Sequence, residues 1–248
     1  MRISIITVSY NSVKTIGDTI ESVLSQNYSD LEYIIIDGLS MDGTCELIKT
    51  YGPRISIFIS EPDRGMYDAM NKGIKLATGD VIGILNSDDF FCNNHIIQDI
   101  ADVIKNEDID AIYGDVMFVD HGNIRKTVRY YSSKKFNPGK FKYGFMPSHP
   151  SFYVKKKFYT QLGLYKTHYL IAADFELVMR FLLCNKLRTR YIEETLVAMR
   201  TGGASNKSLL SHHTLNKEIL LACRENGIKT NLLNIYSKYF IKVFEFFK

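Results

Sequence analysis

Tryptophan is absent from the 248 residues, and cysteine occurs only four times, at Cys45, Cys92, Cys184 and Cys223. The cysteines are too scattered for a Cys-x-x-Cys pair or a zinc pattern, so they read as reduced thiols and exclude a disulfide scaffold. No apolar run approaches the roughly 20 residues of a spanning helix. Met1-Arg2-Ile3-Ser4 enters a strand without a signal-peptide hydrophobic region, so a cytoplasmic body is expected. The Gly-x-Gly-x-x-Gly fingerprint and the Gly-x-x-x-x-Gly-Lys-Ser/Thr loop are both missing, which excludes an ordinary Rossmann dehydrogenase and a P-loop enzyme. There is no internal repeat and no low-complexity linker. Disorder is excluded by the composition, 46% apolar and 23% charged.

One large α/β domain, with or without a helical appendage, fits this length. Net charge is only +4, but Arg125, Lys126, Arg129, Lys134, Lys135, Lys140, Lys142, Lys155, Lys156 and Lys157 crowd one stretch. That crowding suits an anionic partner (nucleotide, nucleic acid or acidic lipid), or simply a solvated basic face.

The first ninety residues alternate strand and helix. Strands are predicted at Ile3 to Val8, Leu31 to Ile36, Ile55 to Ile59 and Val81 to Leu85, with helices at Val13 to Gln26, Thr44 to Thr50 and Met66 to Ala77. This pattern predicts a mostly parallel central sheet with flanking helices and right-handed crossovers. Farther on, a helix is predicted over His95 to Asn106, a hairpin over Ala111 to Tyr131 and a mobile basic, aromatic loop over Phe136 to Tyr143. A short strand follows at Phe152 to Val154, then a helix from Asp174 to about Cys184 and a last strand at Thr195 to Arg200. From Asn206 on the pattern is helical. Its final segment sets Leu232, Ile235, Tyr236, Tyr239, Phe240, Val243 and Phe247 against Lys238, Lys242, Glu245 and Lys248, an amphipathic face that fits either a membrane surface or the protein's own core.

In such a sheet the ligand site lies beyond the carboxyl ends of the strands. Those ends carry Tyr10 and Asn11; Asp37, Ser40 and Asp42; Asp63 and Arg64; and Asn86, Ser87, Asp88 and Asp89. Adjacent aspartates repel unless a cation or donor groups hold them, and hard divalent cations prefer carboxylate oxygen. Capping of the helix near His95 is the alternative reading of Asp88 and Asp89. His149, in a stiff turn between Pro147 and Pro150, is a candidate contact to phosphate or acceptor, or a structural residue.

The blocks Ser4-Ile5-Ile6-Thr7-Val8-Ser9-Tyr10-Asn11, Ile36-Asp37-Gly38-Leu39-Ser40-Met41-Asp42-Gly43-Thr44, Ser60 to Gly73 and Leu85-Asn86-Ser87-Asp88-Asp89, in this order, resemble the family-2 glycosyltransferases. The resemblance covers residues 1 to about 205. It implies a GT-A fold, with a nucleotide-binding half over about 1–115, an acceptor half over about 116–205 and C-terminal helices over 206–248. It also implies inverting sugar transfer from a nucleotide-sugar donor, assisted by Mn2+ or Mg2+, with no nucleic acid partner. By the same resemblance Asp37 accepts from the donor base, Thr7, Tyr10 and Asn11 line the base and ribose pocket, and Arg64 and Lys72 meet diphosphate charge. The metal motif falls on Asn86, Ser87 and Asp88, with Asn86 where relatives usually carry Asp. The metal is therefore placed on Asp88, with Asp89 as second choice. Asp174, in Ala172-Ala173-Asp174, matches the family's base, kept ionised by its place in a helix first turn. Gly202-Gly203-Ala204-Ser205 resembles the family's glycine turn.

The block from Ser60 to Gly73 looks like the branch found in bacterial O-antigen, capsule and colanic-acid clusters, and the lack of tryptophan rules out the Gln-x-x-Arg-Trp motif of processive synthases. The sharpest expectation is β-1,3 transfer of glucose or galactose from a UDP-sugar to GlcNAc-diphosphoundecaprenol at the inner face of the bacterial inner membrane. A sugar nucleotidyltransferase and a catalytically inactive relative are the alternatives.

Overall fold

The computed structural model describes residues 1–202 and 209–245. Gly203, Ala204, Ser205 and Phe247 lie outside the described residues.

The β-branched run Ile3–Ser9 forms β1, buried along its whole length because it lies inside the sheet. It pairs in parallel with β2 (Leu31–Asp37) on one side and β4 (Val81–Ile84) on the other, and β3 (Ile57–Ser60) extends the parallel set beyond β2. The crossovers are α1 (Ile16–Leu24), α2 (Thr44–Thr50) and α3 (Met66–Leu76). The register aligns Ser9 with Asp37 and Asp37 with Ser60, so the polar ends of three strands lie side by side.

The second half joins the same sheet. After β5 (Asp89–Phe91) and α4 (Ile96–Asn106) come β6 (Ala111–Val119), β7 (Thr127–Tyr131) and β8 (Tyr153–Lys155). α5 (Lys157–Leu162), α6 (Ala173–Met179) and β9 (Thr189–Arg200) follow, then α7 (Leu209–Glu225) and α8 (Leu232–Glu245). The sheet order is β3-β2-β1-β4-β8-β6-β9-β5, with β7 on β6. β8 runs antiparallel to both β4 and β6, while β9 is parallel to β6. Two cores cover the faces: one centres on Ile6, Ile36, Met70 and Phe175, the other on Ile5, Ile20, Ile35 and Ile100.

The α/β architecture agrees with expectation, and the differences are local. β9 begins at Thr189 rather than Thr195, with register shifts around Asp115, because its pairing with β6 overrides the polar stretch before Thr195. The segment 136–143 is not a plain loop: Pro138–Tyr143 winds into a 3-10 turn that buries Phe141 edge-on against Phe136 and Phe175. Asp88 and Asp89 do not cap α4, since Asp89 belongs to β5 and α4 starts after His95 without a side-chain cap.

Candidate active site

The first three strand ends are tied together by hydrogen bonds that their own side chains supply. Asp37, fully buried, accepts from Ser9 Oγ (2.9 Å), Ser40 N (2.8 Å), Ser40 Oγ (2.5 Å), Ser60 Oγ (2.8 Å) and Cys45 Sγ (3.1 Å). Burial alone pushes its carboxyl up, but these donors outweigh it and hold the group below the ordinary carboxylate range. Asn11, at φ +49°, accepts from Met41 N (3.0 Å) and donates its own N–H to Ser40 Oγ (2.7 Å). A Cβ on Gly38 would stand 2.5 Å from Asp63 Oδ2 and 3.4 Å from Tyr10 Cδ2, so the loops after β1, β2 and β3 converge on this glycine.

Several expected residues occupy other roles. Thr7 is fully buried and its hydroxyl accepts from Tyr33 OH (3.1 Å), so it offers no surface to a ligand; the register of β1 on β2 sets Ser9, not Thr7, beside Asp37. Asp37 has its oxygens engaged by loop donors, so contact with a donor base requires exchange of one of them. Lys72 Nζ is held by Glu61 (2.8 Å) and the Pro62 carbonyl (2.8 Å), which fastens the loop before α3. Arg64 projects into solvent at 84% side-chain exposure beside Asp68, and Tyr10 is 68% exposed.

At the end of β4, Ser87 Oγ meets Ser12 Oγ at 2.8 Å and links this loop to the one after β1. Asp89 is buried on β5, where Asn86 Nδ2 approaches its Oδ2 at 3.3 Å. Burial, followed by the neighbouring Asp88 charge, drives its carboxyl well above the usual range. Its burial within β5 sets it apart from the more exposed Asp88. Asp88 is partly exposed. Asn86 Oδ1 is buried and accepts no hydrogen bond, so the pair presents one carboxylate and one unsatisfied amide oxygen. These are hard oxygen donors that fit Mg2+ or Mn2+ held by few protein ligands and completed by phosphate oxygens. A three-membered grouping in ligand range occurs elsewhere among the described residues, at His95, Asp99 and Glu194, whose members already pair with one another.

Asp174 lies in the first turn of α6. The loop before it is fixed by Glu218 of α7, which accepts from the N–H groups of Leu170 (2.8 Å), Ile171 (2.9 Å) and Ala172 (2.9 Å), and by the Tyr67 hydroxyl donating to the Ile171 carbonyl. Burial raises the Asp174 carboxyl above its ordinary value; His149, the Phe175 N–H and the Tyr67 hydroxyl pull against it without reversing the sign. The helix-turn expectation of a favoured ionised form is therefore corrected: desolvation exceeds the helix-end contribution. Glu176 points elsewhere, to Arg180 (2.9 Å) and Lys166 (3.0 Å). His149 lies beside the Asn86 loop. Its Nε2 is 3.5 Å from Asn86 Nδ2, and burial lowers its imidazole pKa against the pull of the Asp174 and Asp88 carboxylates.

Sequence reading passed over Tyr67, Glu218 and Arg200. Arg200, buried at the end of β9, donates to the Asp88 carbonyl (2.7 Å) and to the Asp18 carboxylate while its guanidinium lies 5.1 Å from the Phe90 ring. It pins the backbone of Asp88 from a strand 112 residues away, a contact with no local signal.

The family model for glycosyl transferase family 2 matches residues 4–168. An uncharacterized glycosyltransferase of Mycobacterium tuberculosis is 31% identical over 195 residues, spanning 77% of this chain and 72% of the relative. A PGL/p-HBAD biosynthesis glycosyltransferase of Mycobacterium bovis is 26% identical over 208 residues, 82% of this chain and 78% of the relative. Among solved structures, S. aureus TarS 1-349 in complex with UDP-GlcNAc superposes with TM-score 0.72 at 17% identity, covering 90% of this chain and 66% of that one. The mannosyltransferase PcManGT from Pyrobaculum calidifontis, in complex with GDP-Man and Mn2+, gives 0.65 at 14% identity, covering 90% and 63%. The chain thus spans less than two thirds of the length of these solved chains and shares their fold.

Proposed function

This chain belongs to glycosyl transferase family 2 and has the GT-A-type α/β fold, and from that premise we propose that it moves a sugar from a nucleoside-diphosphate donor to a hydroxyl of a lipid-linked saccharide with inversion. The observation that carries this reading is that the turn at His149 packs against both β4 and α6, with His149 Nε2 3.5 Å from Asn86 Nδ2, which draws the Asp88 loop and the first turn of α6 together. The nucleotide sugars in the TarS and PcManGT complexes support a donor of that class.

In the proposed step the acceptor oxygen attacks the anomeric carbon, the bond from that carbon to the β-phosphate oxygen breaks with its electron pair, and the acceptor proton passes to Asp174. A raised carboxyl pKa makes Asp174 a stronger base than a solvent-exposed aspartate. Asp88 and the Asn86 oxygen would hold a divalent ion, which when bound would supply charge neutralisation for the departing diphosphate. Arg200 keeps the Asp88 backbone in place, and His149 lies beside the Asn86 amide. Tyr10 and Asn11 flank the nucleoside, and Arg64, exposed beside Asp68, meets a phosphate.

The specific form proposed is β-1,3 transfer of glucose or galactose to GlcNAc-diphosphoundecaprenol in O-antigen assembly, with peripheral contact to the inner membrane face. No helix among the described residues is long and apolar enough to cross a membrane. The test incubates purified protein and Mn2+ with UDP-glucose, UDP-galactose, UDP-GlcNAc or GDP-mannose and a synthetic GlcNAc-diphosphate-lipid. UDP release with a β-linked disaccharide product is expected from a UDP-hexose; transfer with retained configuration, or no transfer from any donor, overturns the reading.

A further inference from the structure

Between Asp120 and Asp174 the sequence holds no acidic residue, while lysine and arginine recur throughout. The sugar-transfer site proposed above uses none of these cations. The fold carries one group of them to the tip of the β6–β7 hairpin, where residues 121–130 are all exposed. Neighbouring cations are already engaged: Lys134 pairs with Glu193, Lys156 donates to the Ala77 carbonyl, and Arg129 lies over the rings of Phe118 (5.4 Å) and Tyr131 (5.7 Å). The side chains of Arg125 and Lys126 meet no partner among the described residues. Beside them stand Ile124, Val128 and Tyr130, exposed at 41%, 53% and 54%. The tip is held from below, because buried Asp115 accepts from the Tyr130 hydroxyl, the Tyr191 hydroxyl (2.9 Å) and the Ser133 N–H (2.7 Å). β7 ends at Tyr131, whose hydroxyl donates to the Met146 carbonyl (2.7 Å), and both residues wall a cavity into which Asp174 opens.

Unpaired cations interleaved with aliphatic and aromatic side chains match an anionic lipid surface, which offers phosphate oxygens to the first and an apolar boundary to the second. A second copy fits worse: β7 is an edge strand, but pairing two such edges would bring Arg125, Lys126 and Arg129 against like charges. A nucleic acid would answer the cations and leave Ile124 and Val128 in water. The other amphipathic candidate is used internally, since α8 packs on α7 and on the 3-10 turn with Ile235 and Lys238 both buried. We propose that the hairpin tip docks this chain on an anionic lipid surface through Arg125 and Lys126, with Ile124 and Val128 entering the headgroup boundary. The inference rests on the membrane contact in the reading above and adds the surface that makes it. It also ties that surface to the site, because the strand that reaches lipid is the strand that walls the Asp174 cavity.

The test measures flotation of the full chain with vesicles of mixed phosphatidylglycerol and phosphatidylcholine, and with vesicles of phosphatidylcholine alone. Wild type is expected to float with the anionic vesicles and not with the neutral ones, and to bind less as salt rises. Arg125→Gln together with Lys126→Gln lowers the partition coefficient about thirtyfold, about fivefold for each basic residue lost. Val128→Ser lowers it too and leaves the salt dependence unchanged. Lys155→Gln together with Lys157→Gln removes the same charge from the lysine group beside Thr78 and Asp80, and leaves partition within about twofold. Flotation needs no turnover, and UDP binding with Mn2+, expected to be equal in all these proteins, tests the donor reading separately. No preference of wild type for anionic vesicles, undiminished flotation of the Arg125 and Lys126 double variant, or an equal loss in the Lys155 and Lys157 double variant overturns the proposal. So does a wild-type chain that binds a DNA duplex more tightly than anionic vesicles, or one that sediments as a dimer which the hairpin variant abolishes.

Discussion

Asp37 and Asp174 are the same residue type in opposite settings. Asp37, at the end of β2, is buried among five donors that hold its proton affinity down; Asp174, at the start of α6, is partly buried with fewer donors, and desolvation raises its affinity. The first arrangement spends a carboxylate on fastening loops, and the second leaves one suited to the proton transfer proposed for it. A hydrogen-bonded acid stabilises the fold, whereas a desolvated acid costs stability and gains reactivity.

The largest effect that tests this contrast is on Asp174. Asp174→Asn should lower kcat about a thousandfold, in the range for loss of a general base, with UDP affinity unchanged. Because the folded protein holds the Asp174 proton more tightly than the unfolded chain, stability falls as pH rises from the unfolded value near ~3.9 towards the raised folded value, and stays lowered above it. The variant should therefore melt higher than wild type at pH 7. The acid limb of the wild-type pH–rate profile should lie above the ordinary carboxylate range. A melting point that drops at pH 7 would remove Asp174 from the desolvated class.

Next in size is the neighbouring pair. Asp88→Asn should weaken Mn2+-dependent UDP binding about a hundredfold, two decades at about 1.4 kcal/mol each, because Asp88 is the more exposed carboxylate of the pair. Asp89→Asn replaces a buried acid whose charged form is disfavoured by a near-isostere and should leave that affinity within about threefold, under 0.7 kcal/mol on the same scale. Calorimetric titration of both variants decides it; equal losses would restore Asp89 as a ligand.

Asp37→Asn comes third, and its readout is stability. Leaving buried donors without their charged acceptor costs about 2 kcal/mol, a fall in Tm of about 5 °C for a chain of this size. The depressed pKa sets the sign: the contribution is complete above the unfolded value near ~3.9 and is lost as pH falls through the lower folded one. The variant should therefore show a shallower loss of stability in acid than wild type. A Tm equal to that of wild type at pH 7 would free Asp37 for ligand recognition alone.

How much of this was legible in the sequence follows from where each signal resides. The parallel half declares itself because β-branched runs end in Tyr10-Asn11, Asp37-Gly38 and Asn86-Ser87-Asp88, so the order of strands and polar ends places the site before any coordinates do. β5 escapes notice because three residues beginning with aspartate carry no strand periodicity; its pairing with β9 makes it a strand. Glu218, Tyr67 and Arg200 act on backbone groups at separations of 46 to 112 residues, which no local pattern encodes. Lys238 was misplaced by the helical wheel because a wheel assumes one solvated face, and α8 packs on α7 and beside the 3-10 turn at 138–143.

The smallest effect separates the two cations assigned to the diphosphate. Lys72 reads as a phosphate ligand in a motif but as a loop clamp in three dimensions, with its ammonium between Glu61 and the Pro62 carbonyl. Glu61 is half exposed, and such an ion pair contributes about 0.5 kcal/mol. Lys72→Met should thus lower Tm slightly and leave the donor KM within about twofold, a change under 0.5 kcal/mol. Arg64→Met, which removes an unburied guanidinium with little other engagement, should raise the donor KM more than Lys72→Met does and leave Tm alone. Steady-state kinetics with a saturating acceptor and a melting curve on each variant suffice. If the order of the two KM effects reverses, Lys72 leaves Glu61 when the donor binds, and the loop before α3 is a moving part of the site instead of a fixed wall.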